Sequence, residues 1–204
     1  MYITVTSEAD DKNLLSDEQL TAAVGDDATD DLNARLTADI CQACGVAIDG
    51  SKLPTLRRET VVERFYDVGH RNLVLARRHA VVVTSIVADG ETIDAADYIV
   101  GTESGIIKRR QGYLFTGEEV VVTYAAGFET VPADLIGVAS DLARLRVAEA
   151  SRDMLVKRES TEIPGVERRD VEYWVTMGGS TSTGSSTVPP ELIARLSRYA
   201  SLAV

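Results

Sequence analysis

The chain has 204 residues, 45% apolar and 26% charged, with a formal net charge of 21 − 32 = −11. That length suits one core-bearing domain with appendages, or two small domains. The charge excludes by composition a protein that grips nucleic acid through a basic stripe, and no apolar run approaches the roughly 18–20 residues that span a bilayer.

Met1–Asp10 lacks the basic-then-apolar pattern of a signal peptide, which predicts synthesis in the cytoplasm. Residues 1–31 concentrate the acidity: nine acids stand against one base, Lys12. Solubility and helix capping account for most of it. A surface that repels nucleic acid, past which DNA must slide, is the sharper alternative.

Residues 16–48 read as two helices. Ser16 with Gln19 three residues on is a capping-box pattern, and Gly25 ends the short first helix. Asp26, Asp27, Asp30 and Asp31 lead the second, where acids suit the positive end of the helix dipole. Leu32, Leu36, Ile40, Ala43, Cys44 and Ala47 form its apolar face.

After a loop at 49–55 the pattern changes to strands. Short runs rich in β-branched residues occupy 60–66, 72–77, 81–88, 97–101, 105–109 and 118–128. Asp89-Gly90 between two such runs predicts a hairpin turn. The spacing suggests a small antiparallel β-domain over 56–128. Pro132 then opens a long helix, 132–158, with Leu135, Val138, Ala139, Leu142, Leu145 and Ala148 as its core stripe. Residues 163–176 read as extended.

Residues 178–187 (GGSTSTGSST) are linker-like, with an r.m.s. reach of roughly 16–19 Å and about 33–36 Å when stretched. Beyond them Pro189 and Pro190 can start a helix in which Leu192, Ile193, Leu196, Tyr199 and Ala200 share one face. So short a helix is not stable alone. A tethered amphipathic piece is suited to docking elsewhere; folding back onto its own domain is the other reading. The sequence expectation is therefore an α+β fold: a helical body of two N-terminal helices and a long C-terminal one, with a small inserted antiparallel β-domain and an extended C-terminal tail. The main domain would cover 1–176, the linker 177–188 and the docking segment 189–204.

Residues that could carry chemistry are few. Cys41 and Cys44 form Cys-x-x-Cys, but late in a predicted helix and without a βαβ pattern, so ordinary buried cysteines are expected. A zinc site needs four ligands, and neither His70 nor His79 has ligand-like neighbours in sequence. Both histidines read as solvated loop residues. The acidic stretch from Asp26 departs from the EF-hand pattern at Ala28, Asp31 and Thr37. Arg57, Arg58, Arg64, Arg71, Arg77 and Arg78 make the strand region locally basic; they could meet the acidic N-terminal region of another copy or simply be solvated. The expectation is no catalytic residue, no metal and no cofactor.

The order of features resembles the tailed-phage head–tail connector (adaptor, or head-completion) family. The opening Leu15–Leu20 helix leads into an Asp-rich helix start. Then come VVVTSIVADGETIDAADYIV (81–100), GIIKRR (105–110) and VVVTYAAGFETVPADL (120–135), the last being the most specific. PPELIARLSRY (189–199) also looks like the family's tail.

The resemblance implies a non-enzymatic virion protein that forms a ring, typically of twelve copies, below the portal. The ring would extend the DNA channel and receive the next neck or tail protein, a stopper or tail-completion component, with no membrane partner. By the same resemblance the C-terminal segment engages the portal, with Pro189, Pro190, Leu192, Ile193, Leu196 and Tyr199 as its contacts. Asp26, Asp27, Asp30 and Asp31 would line the channel, where a negative field limits DNA sticking. Alternatives are a stopper or terminator elsewhere in the neck, a small cytoplasmic thiol enzyme using Cys41 and Cys44, and a ligand-binding β-domain.

Overall fold

The computed structural model describes residues 2–50, 52–151, 158–163, 167–172 and 188–201. Two cores share the chain, one between strands and one between helices.

The sheet core is built on β1 (Tyr2–Ser7), β2 (Glu59–His70), β4 (Val82–Ala88), β5 (Glu91–Thr92) and β8 (Phe115–Ala126). They form one antiparallel sheet in the order β1-β2-β8-β4-β5. Period-2 alternation sends Val61, Val120, Val122, Tyr124 and Ile86 to one buried face. A second antiparallel sheet, of β3 (Asn72–Val74), β7 (Ile106–Arg109) and β6 (Tyr98–Gly101), supplies Leu73, Ile107 and Tyr98 to the same core. Between β4 and β5, Asp89 and Gly90 take φ of 48° and 86°, the left-handed pair that a two-residue hairpin requires.

The helical core is built on α1 (Asp17–Val24), α2 (Asp30–Ala43), α3 (Ala133–Ala150) and α4 (Pro190–Leu196). Ser16 and Gln19 close the expected capping box on α1, and Gly25 is its C-cap. Thr29 caps α2 by accepting from Leu32 N at 3.2 Å. On α3, Leu135, Val138, Ala139, Leu142 and Ala143 fall at i, i+3, i+4, i+7 and i+8 and are buried. Leu145 is only half-buried, and Ala148 is exposed.

The expected helical body with a small inserted β-domain is overturned: the body is β-rich. The first strand belongs to it, because Ile3 and Val5 alternate with polar residues and β1 pairs with β2, so the sheet uses the chain's start and is no insertion between helices. β2 and β8 each run for 12 residues, and the second sheet adds a further layer. The long helix also ends at Ala150, short of the expected 158, and the stretch expected to be extended holds β10 (Glu167–Glu172), paired with β9 (Arg158–Ile163), a strand that the sequence reading did not mark. The linker reading for 177–188 lies outside the described residues up to Thr187.

Three chain segments meet where the cores join. Phe128 N donates to Leu56 O at 2.8 Å, Arg58 N to Phe128 O at 3.1 Å, and Gly127 N to His79 O at 2.9 Å. Gly127 has φ of 99°, and a Cβ there would collide with the Arg57 carbonyl. The chain then passes through buried Val131 into α3.

Candidate functional site

The C-terminal segment sits on the body's own helical core. Leu192, Leu196 and Tyr199 are buried there with Val188, and Ile193 packs against them. Pro189 is half-buried and caps α4, while Pro190 is exposed at its first turn. Four of the six residues expected to contact a portal thus face α2 and α3 of the same chain.

Polar contacts ring this apolar centre. Asp141 accepts from Arg195 at 2.6 Å, and Asp134 accepts from both Arg198 at 2.9 Å and the Tyr199 hydroxyl at 2.6 Å. The Tyr199 bond, with the Arg198 guanidinium beside it, holds the Asp134 carboxyl below the usual carboxylate range. Burial and the same bond push the Tyr199 phenol up to about 12. On the other flank Arg78 donates to Ala200 O at 2.6 Å and Ser201 N to Cys44 O at 2.7 Å. The segment therefore clasps helices and strand loops together.

His79 is not the solvated loop residue that its sequence neighbours suggested. It is 6% exposed, stacked on Phe128 at 5.1 Å and edge-on to Tyr199 at 5.6 Å. Its Nε2 lies 3.2 Å from Tyr199 O, and its Nδ1 lies 3.6 Å from the exposed Glu103 carboxylate. Its φ of 68° marks the sharp reversal that turns the ring inward. Beside it an open cleft of about 360 Å³ is walled by Arg78, Glu103, Asp134, Arg198 and Tyr199. His70, by contrast, is exposed at the end of β2.

Cys41 and Cys44 are free and buried. Burial pushes their thiols up to about 12 and about 11, so both are protonated at neutral pH and lack the thiolate that nucleophilic or redox chemistry needs. Asp26, Asp27, Asp30 and Asp31 are all exposed; Asp26 and Asp27 form a separate turn before α2, and Asp31 pairs with Arg35 at 2.8 Å. Among the described residues no group of three or more His, Cys, Asp or Glu is arranged to hold a metal ion.

Most of the basic residues of the strand region have partners within the chain. Arg57 reaches Asp11 in the acidic N-terminal region, Arg58 pairs with Glu129, and Arg64 with Glu119. Arg77 is buried, donating to Glu59 at 2.6 Å and to Thr55 O at 3.2 Å. Next to it Glu63 accepts from the Tyr124 hydroxyl at 2.8 Å and from Ala76 N at 3.1 Å. Burial raises the Glu63 carboxyl above its ordinary value despite these donors.

Glu59, Glu63, Asp134, Asp141 and Tyr124 are structural contacts that sequence reasoning missed. Glu59 and Glu63 did carry a signal, since they share the parity of Val61 on a half-buried strand. No family model matches the chain, and no curated protein matches it.

Proposed function

We propose that this chain is a structural adaptor of a tailed-phage head–tail connector. It forms a ring below the portal, extends the DNA channel and receives the next neck protein. The observation that carries the reading is the stretch VVVTYAAGFETVPADL at 120–135, the most specific part of the resemblance. In the fold this stretch is β8, the tight joint at Gly127 and the start of α3, so it is the element that fixes one core against the other. An assembly protein needs such a rigid joint to hold the surfaces that meet its neighbours.

Protonated, buried thiols weigh against the thiol-enzyme alternative. The exposed acids at Asp26, Asp27, Asp30 and Asp31 remain suited to a channel wall that DNA slides past.

Native mass spectrometry of the full chain mixed with the portal protein of the same genome tests this. Binding of as many copies as the portal has subunits is the expected outcome. A full chain that leaves the portal bare overturns the adaptor role, and binding only to an already formed connector ring places it one step further down the neck.

A further inference from the structure

The C-terminal segment is built like a peptide ligand seated in a groove. Leu192, Leu196 and Tyr199 stand at i, i+4 and i+7 and are buried against α2 and α3, the spacing of anchors in helix-in-groove recognition. Arg195–Asp141, Arg198–Asp134 and the Arg78 bond to Ala200 O surround that apolar centre. An apolar middle inside a polar rim is the anatomy of an interface between separate chains.

The segment is also remote from its groove along the chain. Residues 151–187, 37 in all, separate the end of α3 from Val188. We propose that this groove is an interaction surface for a second copy: in the assembled ring each chain's segment 188–201 seats in the groove of its neighbour. This deepens the adaptor reading and rests on it for the closeness of neighbours.

The energetics of exchange are simple. The same side chains meet the same groove whichever copy supplies them, so own and exchanged states differ chiefly in the connecting chain. The 15 residues from 173 to 187 can span at most about 50–54 Å. A domain of this length is roughly 40 Å across. The neighbour's groove thus lies within that covalent limit. A free monomer keeps its own segment, and exchange becomes competitive only when copies are held side by side. Closing the ring in this way leaves no groove empty and ties each subunit to the next.

Gly45 and Ser201 give the test. A Cβ built on Gly45 lies 3.9 Å from Ser201 Cβ, within the spacing a disulfide spans. A Gly45→Cys chain and a Ser201→Cys chain, each also carrying Cys41→Ala and Cys44→Ala so that no native thiol competes, are mixed on the portal and oxidised with oxidised glutathione. Exchange predicts a covalent species of twice the chain mass in the mixture, and none from either variant alone. The Gly45→Cys/Ser201→Cys double variant, oxidised as a free monomer, shows whether the bond can close within one chain.

Internal closure in the double variant without linked pairs in the mixture overturns the exchange. Should the left-handed φ of 66° at Gly45 prevent closure, a photo-crosslinking residue at Ser201 serves instead. It is placed in a mixture of isotope-labelled and unlabelled chains on the portal. Cross-links between the two isotopic forms support exchange, and cross-links confined to one form overturn it. Portal binding is scored separately by native mass spectrometry, so failure of the exchange is distinct from failure of the adaptor reading.

Discussion

Glu63 is the residue whose chemistry is most constrained. It is buried on β2, and its carboxylate depends on two donors, the Tyr124 hydroxyl and Ala76 N. Burial raises its pKa above the ordinary 4.5. An acid whose folded pKa is raised favours the folded state most below its unfolded pKa, and that contribution declines as pH rises through the folded value. Tyr124→Phe removes the nearer of the two donors, leaves Arg77 N without its acceptor and raises the Glu63 pKa further. The expected cost is about 1–3 kcal/mol at neutral pH, read as a lowered Tm, and it should shrink at pH 4, where Glu63 is protonated. An equal deficit at both pH values would show that the carboxylate is not what the hydroxyl serves. Little of this was legible in sequence. A glutamate on a strand reads as solvent-facing, and only its parity with Val61 hints otherwise. His79 shows the same limit: the rings that enclose it come from Phe128 and Tyr199, 49 and 120 positions away.

At the scale of elements, local signals located most of the pieces. The strand runs and both N-terminal helices fall where β-branched residues, capping residues and glycines place them. The clearest miss is an element whose stability comes from a distant partner: β1 is a six-residue strand that pairs with residues 60–64. The joint at Gly127 is likewise tertiary: its φ of 99° and the approach of the Leu56 carbonyl, 2.8 Å from where a Cβ would sit, leave no room for a side chain. Gly127→Ala should therefore destabilise by at least about 2 kcal/mol, combining backbone strain with steric overlap. Gly69→Ala, with nothing within 4 Å of the added methyl, is the matched control. Thermal unfolding of both variants checks this. Similar melting of the two would mean that the segments at the joint can part without loss, and that the joint does not hold the cores rigidly.

At the scale of the whole molecule the cores are separate clusters bridged by few segments. The sequence pattern suggested a tail free to dock on another protein, because amphipathic spacing reports that a helix needs a partner and not where the partner is. The partner in this structure is the chain's own α2 and α3. Removing residues after Thr187 therefore does more than cut off a ligand. It strips Val188, Leu192, Leu196 and Tyr199 from the helical core. Each such side chain contributes roughly 1.5–3 kcal/mol when fully buried, against a total stability of about 5–15 kcal/mol for a domain. The ordering cost of the segment offsets part of that gain. The sheet core receives no side chain from the segment. Hydrogen exchange on the truncated chain should accordingly show protection lost in α2 and α3 and retained in β2 and β8. Equal loss in the strands would mean that the joint at 127–131 couples the cores into one cooperative unit. The clasp would then stabilise the entire body, and moving it to a neighbouring copy would require the whole fold to open first.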